Sequence, residues 1–308
     1  MMDGLLLVDK AGGLTSNQVV ERVRRATRLR HAGHAGSLDP MATGLLLVAL
    51  GEGTKLTEIL MDAGKTYEAG IRLGEATETE DREGRVVATA PVPDLDAPRI
   101  EAVLAGFRGD IQQVPPRYSA LKVDGVRAYE RARGGEDFEL KSRVVRVYEL
   151  ELLAYEAPEI RVRVRCGRGT YIRSLARDIG RALGTEAHLG ALRRTRVGPY
   201  AVERGVRVEH GVGLTREAVA GAFLPLRQSF GDAPAVRVPE SYIGDLRFGR
   251  SPRPDQLLDP LPAADGTRFM LVDETREPLA VAELDPVTRG AKLRRVLNRA
   301  STTVGRPS

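Results

Sequence analysis

The strongest constraint in this chain is the run Leu45-Leu-Leu-Val-Ala-Leu50, closed by Gly51 and preceded by a segment rich in turn formers, His34-Ala-Gly-Ser-Leu-Asp-Pro-Met-Ala-Thr-Gly44. An unbroken apolar run of this kind reads as a strand covered on both faces, so the preceding loop is anchored on a rigid interior element. Gly36 and Gly44 accept backbone angles that other residues resist, and Pro40 fixes its own φ while biasing Asp39 away from the helical region. One carboxylate, Asp39, is therefore held in a defined loop beside a buried strand, the setting in which catalytic groups concentrate. Taken alone, an Asp before Pro is more often a turn cap. The rest of the chain has to decide between the two.

At 308 residues the chain exceeds what one core usually covers, so a large domain and a second small one are expected. The longest uncharged apolar run falls far short of a membrane span, and the N-terminus carries Asp3 where a signal peptide needs basic residues. A cytoplasmic protein without a membrane segment is expected. Cys166 is the sole cysteine, which excludes an intrachain disulfide and suits a reducing compartment. The four histidines form no His-x-x-x-His pair, so no metal is expected. No Gly-x-Gly-x-x-Gly and no phosphate-binding Gly-x-x-x-x-Gly-Lys-Ser/Thr loop is present.

Charge is unevenly spread. The whole chain carries +5, yet residues 141–200 hold 13 Lys or Arg against 6 Asp or Glu, a local excess of +7. A second basic stretch comprises Arg22, Arg24, Arg25, Arg28 and Arg30. Arginine dominates both, which suits bidentate phosphate contacts, although a charge run is commonly no more than a solvated face.

Leu5 to Val8 reads as a strand, and Ser16 as the cap of a helix with Val19, Val20, Val23 and Ala26 on one apolar face and its arginines on the polar one. Lys65 to Leu73 alternates, with Tyr67, Ala69, Ile71 and Leu73 on one face. Ile160 to Cys166 alternates too, presenting Arg161, Arg163 and Arg165 outward. Gly167-Arg-Gly169 turns the chain into a helix capped by Thr170, with Tyr171 and Arg173 in its first turn. Residues 117–141 form a charged excursion from the core, 223–236 a linker, and short strands at Arg268–Val272, Leu279–Leu284 and Leu293–Leu297 a small β-rich module. A disordered tail is expected at 301–308.

These motifs, taken in order, resemble the TruB family of bacterial tRNA pseudouridine-55 synthases. The resemblance is carried by Leu6-Leu-Val-Asp-Lys10 with Thr15-Ser16, Gly33 to Leu45, Lys65-Thr-Tyr67, Pro116-Arg-Tyr-Ser-Ala-Leu-Lys122, Gly169-Thr-Tyr-Ile-Arg173 and Leu192-Arg-Arg194. Departures are Ala11, where the family usually has Pro, and Ala35, where it often has Thr. The resemblance implies an α+β pseudouridine synthase fold, with a mixed, largely antiparallel central sheet flanked by helices over residues 1–230. It also implies a PUA-like RNA-binding domain over 236–300. The implied reaction converts a T-loop uridine of tRNA to pseudouridine by C1′–N1 cleavage and C1′–C5 formation, without cofactor.

By the same resemblance Asp39 is the essential carboxylate, paired with Arg173. Adding to the base, attacking C1′ and removing a C2′ proton all suit it, and all need it ionised. Tyr67 stacks on the flipped uracil. Tyr171 and Leu192 line the base pocket, His34 lies near the flipped nucleotide, and Lys10, Lys55 and Lys122 meet phosphates. The excursion at 117–141 corresponds to the family's insertion that closes over RNA. The partner is tRNA, met through the T stem-loop and, via the C-terminal domain, the acceptor end, by a monomer. Two alternatives remain open on the residues: a guide-dependent pseudouridine synthase subunit, and a tRNA-binding or folding protein with secondary catalysis.

Overall fold

A computed structural model describes residues 2–297 except 120 and 124; the tail expected to be disordered lies outside the described residues. The chain forms two compact units. One is built from residues up to Asp39, Leu45–Ala63 and the chain from Gly198 onward; the other from Pro40–Gly44 and Gly64–Val197.

The first unit centres on the strand Gly4–Lys10, whose Leu5, Leu6, Leu7 and Val8 are fully buried. It pairs in parallel with Val206–Val208 and antiparallel with Phe223–Pro225. The expected linker at 223–236 is thus partly structural: its first residues form a sheet edge, because the apolar Phe223 and Leu224 have a partner strand to join. The helix Ser16–Thr27 buries Val19, Val20 and Val23 as the spacing predicts. Its cap is Thr15 rather than Ser16: Thr15 and Gln18 form a reciprocal capping box, which satisfies two free donors at once. The apolar run Leu45–Leu50 lies in a strand with every residue from Gly44 to Leu50 buried, and its end pairs with Ala32–His34.

The same unit carries a four-stranded sheet in the order Ala235–Arg237, Arg268–Val272, Pro278–Leu284, Ala291–Val296. The first strand, three residues long and parallel to its neighbour, carries too short a pattern to be read from sequence. Val236, Val238, Phe269, Leu271, Ala280, Ala282 and Leu284 form its core with Ile243 and Leu246 from a short helix. Arg268 joins this sheet to the helix Thr57–Asp62, through Asp62 and Glu58, and Lys55 donates to the Val296 carbonyl.

In the second unit, strands Ala187–Val197, Lys65–Leu73, Glu159–Cys166, Arg143–Glu156 and Gly109–Gln113 lie side by side, each antiparallel to the next. Thr43 and Gly44 pair in parallel with Arg193 and Arg194. The helix Ile172–Ala182 packs on strand Ala187–Val197, burying Leu175, Ala176, Ile179 and Gly180. Gly180 is required there, since a Cβ would sit 2.3 Å from that of Ala187. Both units mix helices with predominantly antiparallel strands, the fold class expected. Among the described residues no helix is long and apolar enough to cross a membrane.

Candidate active site

The Asp39 loop is pinned on both sides of its carboxylate. Ser16 faces inward, its hydroxyl donating to the Leu38 carbonyl at 3.1 Å and accepting from the Leu38 amide at 2.9 Å. That two-way bond, between groups 22 residues apart, explains why Ser16 is buried while Thr15 caps the helix. Leu38 is buried ahead of Asp39, and Met41 and Ala42 are buried after it. Asp39 itself is half-buried, so the loop is held by its neighbours while the carboxylate keeps access to solvent. Gly36 has φ 95° and Gly44 φ 100°, both left-handed, as the turn requires. At Gly44 a Cβ would come within 2.2 Å of the Arg194 carbonyl oxygen, so only glycine lets the backbones approach. His34 ends the short strand opposite Val48, half-buried.

In the second unit Tyr67, buried, stands between Val164 and Arg194 on the neighbouring strands, and Leu192, also buried, stands opposite Ala69. Two-residue alternation therefore puts Tyr67, Ala69, Leu192 and Arg194 on one sheet face. Arg194, 1% exposed, is the largest fully buried side chain among the described residues, and Lys65 is buried two residues before Tyr67. Both cations belong to motifs read from the sequence, but nothing in the spacing reveals that they are interior. Cys166, opposite Lys65, is core as expected; burial pushes its thiol up to about 11 despite the opposing effect of Thr170, Lys65 and Arg194.

Tyr171 and Arg173 come from the start of the helix Ile172–Ala182. Thr170 does not cap it: its hydroxyl donates back to Gly167, and Tyr171 occupies the cap position without a side-chain bond to the helix amides. A distant residue holds Tyr171 instead. Gln113, 1% exposed, accepts from the Tyr171 amide at 2.8 Å and donates to its carbonyl at 3.1 Å, while Arg143 lies 4.9 Å from the ring centroid and donates to the Gly169 carbonyl. Arg173, also buried, donates to the carbonyls of Thr79 and Tyr118, each at 3.0 Å, with Asp81 3.7 Å away. The Tyr118 hydroxyl donates to Glu78 at 2.7 Å, which, with Arg85, holds that carboxyl below its ordinary value. The acidic segment Glu75–Glu83 therefore wraps the helix start: Glu80 accepts from Ser174 and Arg177 as well.

The lysines divide. Lys10 is fully buried, its ammonium donating to Ala11 and Leu14, where it braces the first turn. Lys55 is half-buried and bonded to Glu52 and the Val296 carbonyl. Lys122, exposed in a short hairpin with Arg127, alone of the three presents its side chain to solvent. The arginine face of strand Glu159–Cys166 is exposed as predicted, but Arg163 meets Glu151 at 2.9 Å and Arg165 meets Glu149 at 2.7 Å across the strand pair. That face is largely neutralised by cross-strand pairing.

The family model for TruB family pseudouridylate synthase (N terminal domain) matches residues 24–172, and that for the tRNA pseudouridylate synthase B C-terminal domain matches 173–212. Proteins named tRNA pseudouridine synthase B are similar over most of their length. That of Aromatoleum aromaticum is 47% identical over 81% of each chain, and that of Burkholderia lata 45% identical over 90% of this chain and 85% of its own. That of Francisella tularensis subsp. novicida is 41% identical over 92% of each. Among solved structures, the "Crystal Structure of a Cbf5-Nop10-Gar1 Complex" aligns with a TM-score of 0.76 and 26% identity over 96% of this chain and 85% of that one. On this similarity, and on the motifs that the two units hold in place, the chain belongs to the TruB family of pseudouridylate synthases.

Proposed function

We propose that this protein isomerises the T-loop uridine at position 55 of tRNA to pseudouridine. The observation that carries this reading is a carboxylate on a pinned, half-exposed loop, in a chain that also fixes Tyr67, Leu192, Tyr171 and Arg173 by long-range bonds or strand register. The uridine leaves its stack, and an ionised Asp39 acts at the sugar or base as the C1′–N1 bond breaks. The freed uracil turns, C1′ bonds to C5, and the C5 proton is lost while N1 regains one, so atoms balance without a cofactor. Tyr67 stacks on the base and keeps it from escaping, a contact worth about 1 to 3 kcal/mol. Tyr171 and Leu192 wall the pocket, Arg173 favours the ionised form of Asp39, and His34 lies beside the flipped nucleotide.

Lys122 belongs to the phosphate contacts, with residues 117–141 closing over RNA. Residues 236–300 serve as the PUA-like module for the acceptor end, in a cytoplasmic monomer. Lys10 and Lys55 support the fold around their carbonyl partners.

The test is an unmodified tRNA transcript with tritium at C5 of uridine. Purified protein alone should release the label and leave pseudouridine at one T-loop position, whereas Asp39→Asn should abolish release while still binding tRNA. Label release by the Asn variant at the wild-type rate would remove Asp39 from its role. Activity only with added guide RNA would replace the stand-alone reading by a guide-dependent one.

A further inference from the structure

The two basic stretches of this chain are equivalent in sequence and different in structure. On strand Glu159–Cys166 the arginines are matched to glutamates, as described above. On the helix Ser16–Thr27 and its C-terminal extension, Arg24 is the one matched, to Glu21 at 2.5 Å. Arg25, Arg28 and Arg30 are exposed, and no carboxylate pairs with them among the described ion pairs. Arg22, half-buried, reaches only the Gln18 carbonyl, at a long 3.4 Å. Arg22 and Arg25 are three residues apart, hence neighbours on one helical face.

They line one wall of an open groove of about 430 Å³, whose other wall is Gly211, Val212, Gly213 and Leu214, with no acid in the lining. The opposite wall is exposed: Val212 is 57% accessible, and a Cβ at Gly211 or Gly213 would meet nothing within 4 Å. Arg28 adds a second signal. It closes the helix in the left-handed region, φ 58°, where glycine is the usual residue. There its exposed guanidinium follows Arg22 and Arg25 at the same three-residue spacing.

We infer that this groove, with Arg22, Arg25 and Arg28, is a docking site for the phosphodiester backbone of the tRNA substrate. The inference rests on the tRNA reading above. Guanidinium forks suit phosphate oxygens, and an open groove with no acid in its lining accepts a backbone without reading its bases. The partner is RNA because the surface combines spaced cations that no described carboxylate pairs with, and of its apolar lining residues Ala26, Val212 and Leu214 only Val212 is exposed, whereas an anionic membrane surface would call for a broad exposed apolar face beside them.

The experiment measures tRNA binding by the full-length protein over a range of KCl concentrations, together with KM for label release. It compares wild type with R22Q/R25Q/R28Q and with the strand-face control R161Q/R163Q/R165Q. The groove variant should raise KM and Kd about tenfold or more near physiological salt. Its log–log salt slope should fall by about 2, since each phosphate contact contributes about 0.7 to 0.9. The control should stay within about threefold of wild type. R25Q alone, expected to lower the slope by about one contact, serves if the triple variant does not fold. An unchanged slope in the groove variants, or a larger effect of the control, overturns the inference. So does loss of binding to phosphatidylglycerol vesicles with tRNA binding intact. If wild type releases no label at all, the reaction assigned above fails, while the binding slopes still decide the groove.

Discussion

Gln113 is the residue whose removal tests most directly how the helix start is built. Its side chain supplies one donor and one acceptor to the same backbone unit, that of Tyr171, from 58 residues away. The helix has no side-chain cap of its own at that point. Gln113→Met keeps the volume and removes both bonds, leaving the partly buried Tyr171 amide without its partner while the carbonyl keeps only the Leu175 amide. The orphaned amide costs about 1 to 3 kcal/mol and the lost bond to the carbonyl about 0.5 to 1.5, and the partial exposure of Tyr171 favours the lower end, so the loss should be about 2 to 3 kcal/mol. At about 2 to 4 °C per kcal/mol for a unit of this size, Tm should fall by roughly 5 to 10 °C.

Gln113→Glu separates the two bonds. The carboxylate can still accept from the Tyr171 amide, but it faces the Tyr171 carbonyl oxygen with no proton to donate. Ionisation is therefore disfavoured in the folded state, and the folded pKa rises above the unfolded value of about 4.3. A raised acid loses its stabilising contribution as pH climbs through the folded pKa, so this variant should melt nearest wild type near pH 4.5 and furthest from it at pH 8. Calorimetric or circular-dichroism melts at the two pH values are the assay, and turnover of labelled tRNA reports whether Tyr171 is displaced. Tyr171→Ala is the companion: if it keeps full turnover, Tyr171 has no place in the pocket, whatever Gln113 does. A Gln113→Met protein that melts within 1 °C of wild type, with no pH dependence in the Glu variant, would refute the clamp.

Two further outcomes follow from buried groups. Ser16→Ala removes both bonds to Leu38, so it should cost about 2 kcal/mol by chemical denaturation and lower turnover more than Thr15→Ala, which loses a cap but leaves the Asp39 loop tied. Equal turnover in the two variants would show that the loop is held by other means. The Cys166 thiol, pushed up to about 11 by burial, should resist iodoacetamide at pH 8 in the native protein and react once unfolded. Because its pKa is raised on folding, its contribution is complete below about 9 and fades toward 11, so Cys166→Ala should flatten part of the alkaline fall in Tm. Native alkylation at the unfolded rate would contradict the burial.

The amino-acid sequence by itself determined what depends on short-range pattern. The buried strand after the Asp39 loop, the alternation that sends Tyr67 inward and Arg161, Arg163 and Arg165 outward, and the stripe of the Ile172–Ala182 helix all follow from periods of two and 3.6 residues. The family motifs are equally local, and they pointed to the candidate site. Tertiary structure decided which polar side chains are interior and serve the fold and which are left exposed. Ser16, Gln113, Lys10 and Arg194 look like ordinary polar residues in the sequence, yet each is interior. The acidic segment Glu75–Glu83 forms a collar around Arg173, and the more conspicuous arginine face proved to be paired with glutamates from an adjacent strand. The physical reason is the same in each case. A hydrogen bond or ion pair forms between groups brought together by turns, strand register and helix docking, over separations of up to 94 residues, and no periodicity along the chain records who the partner is.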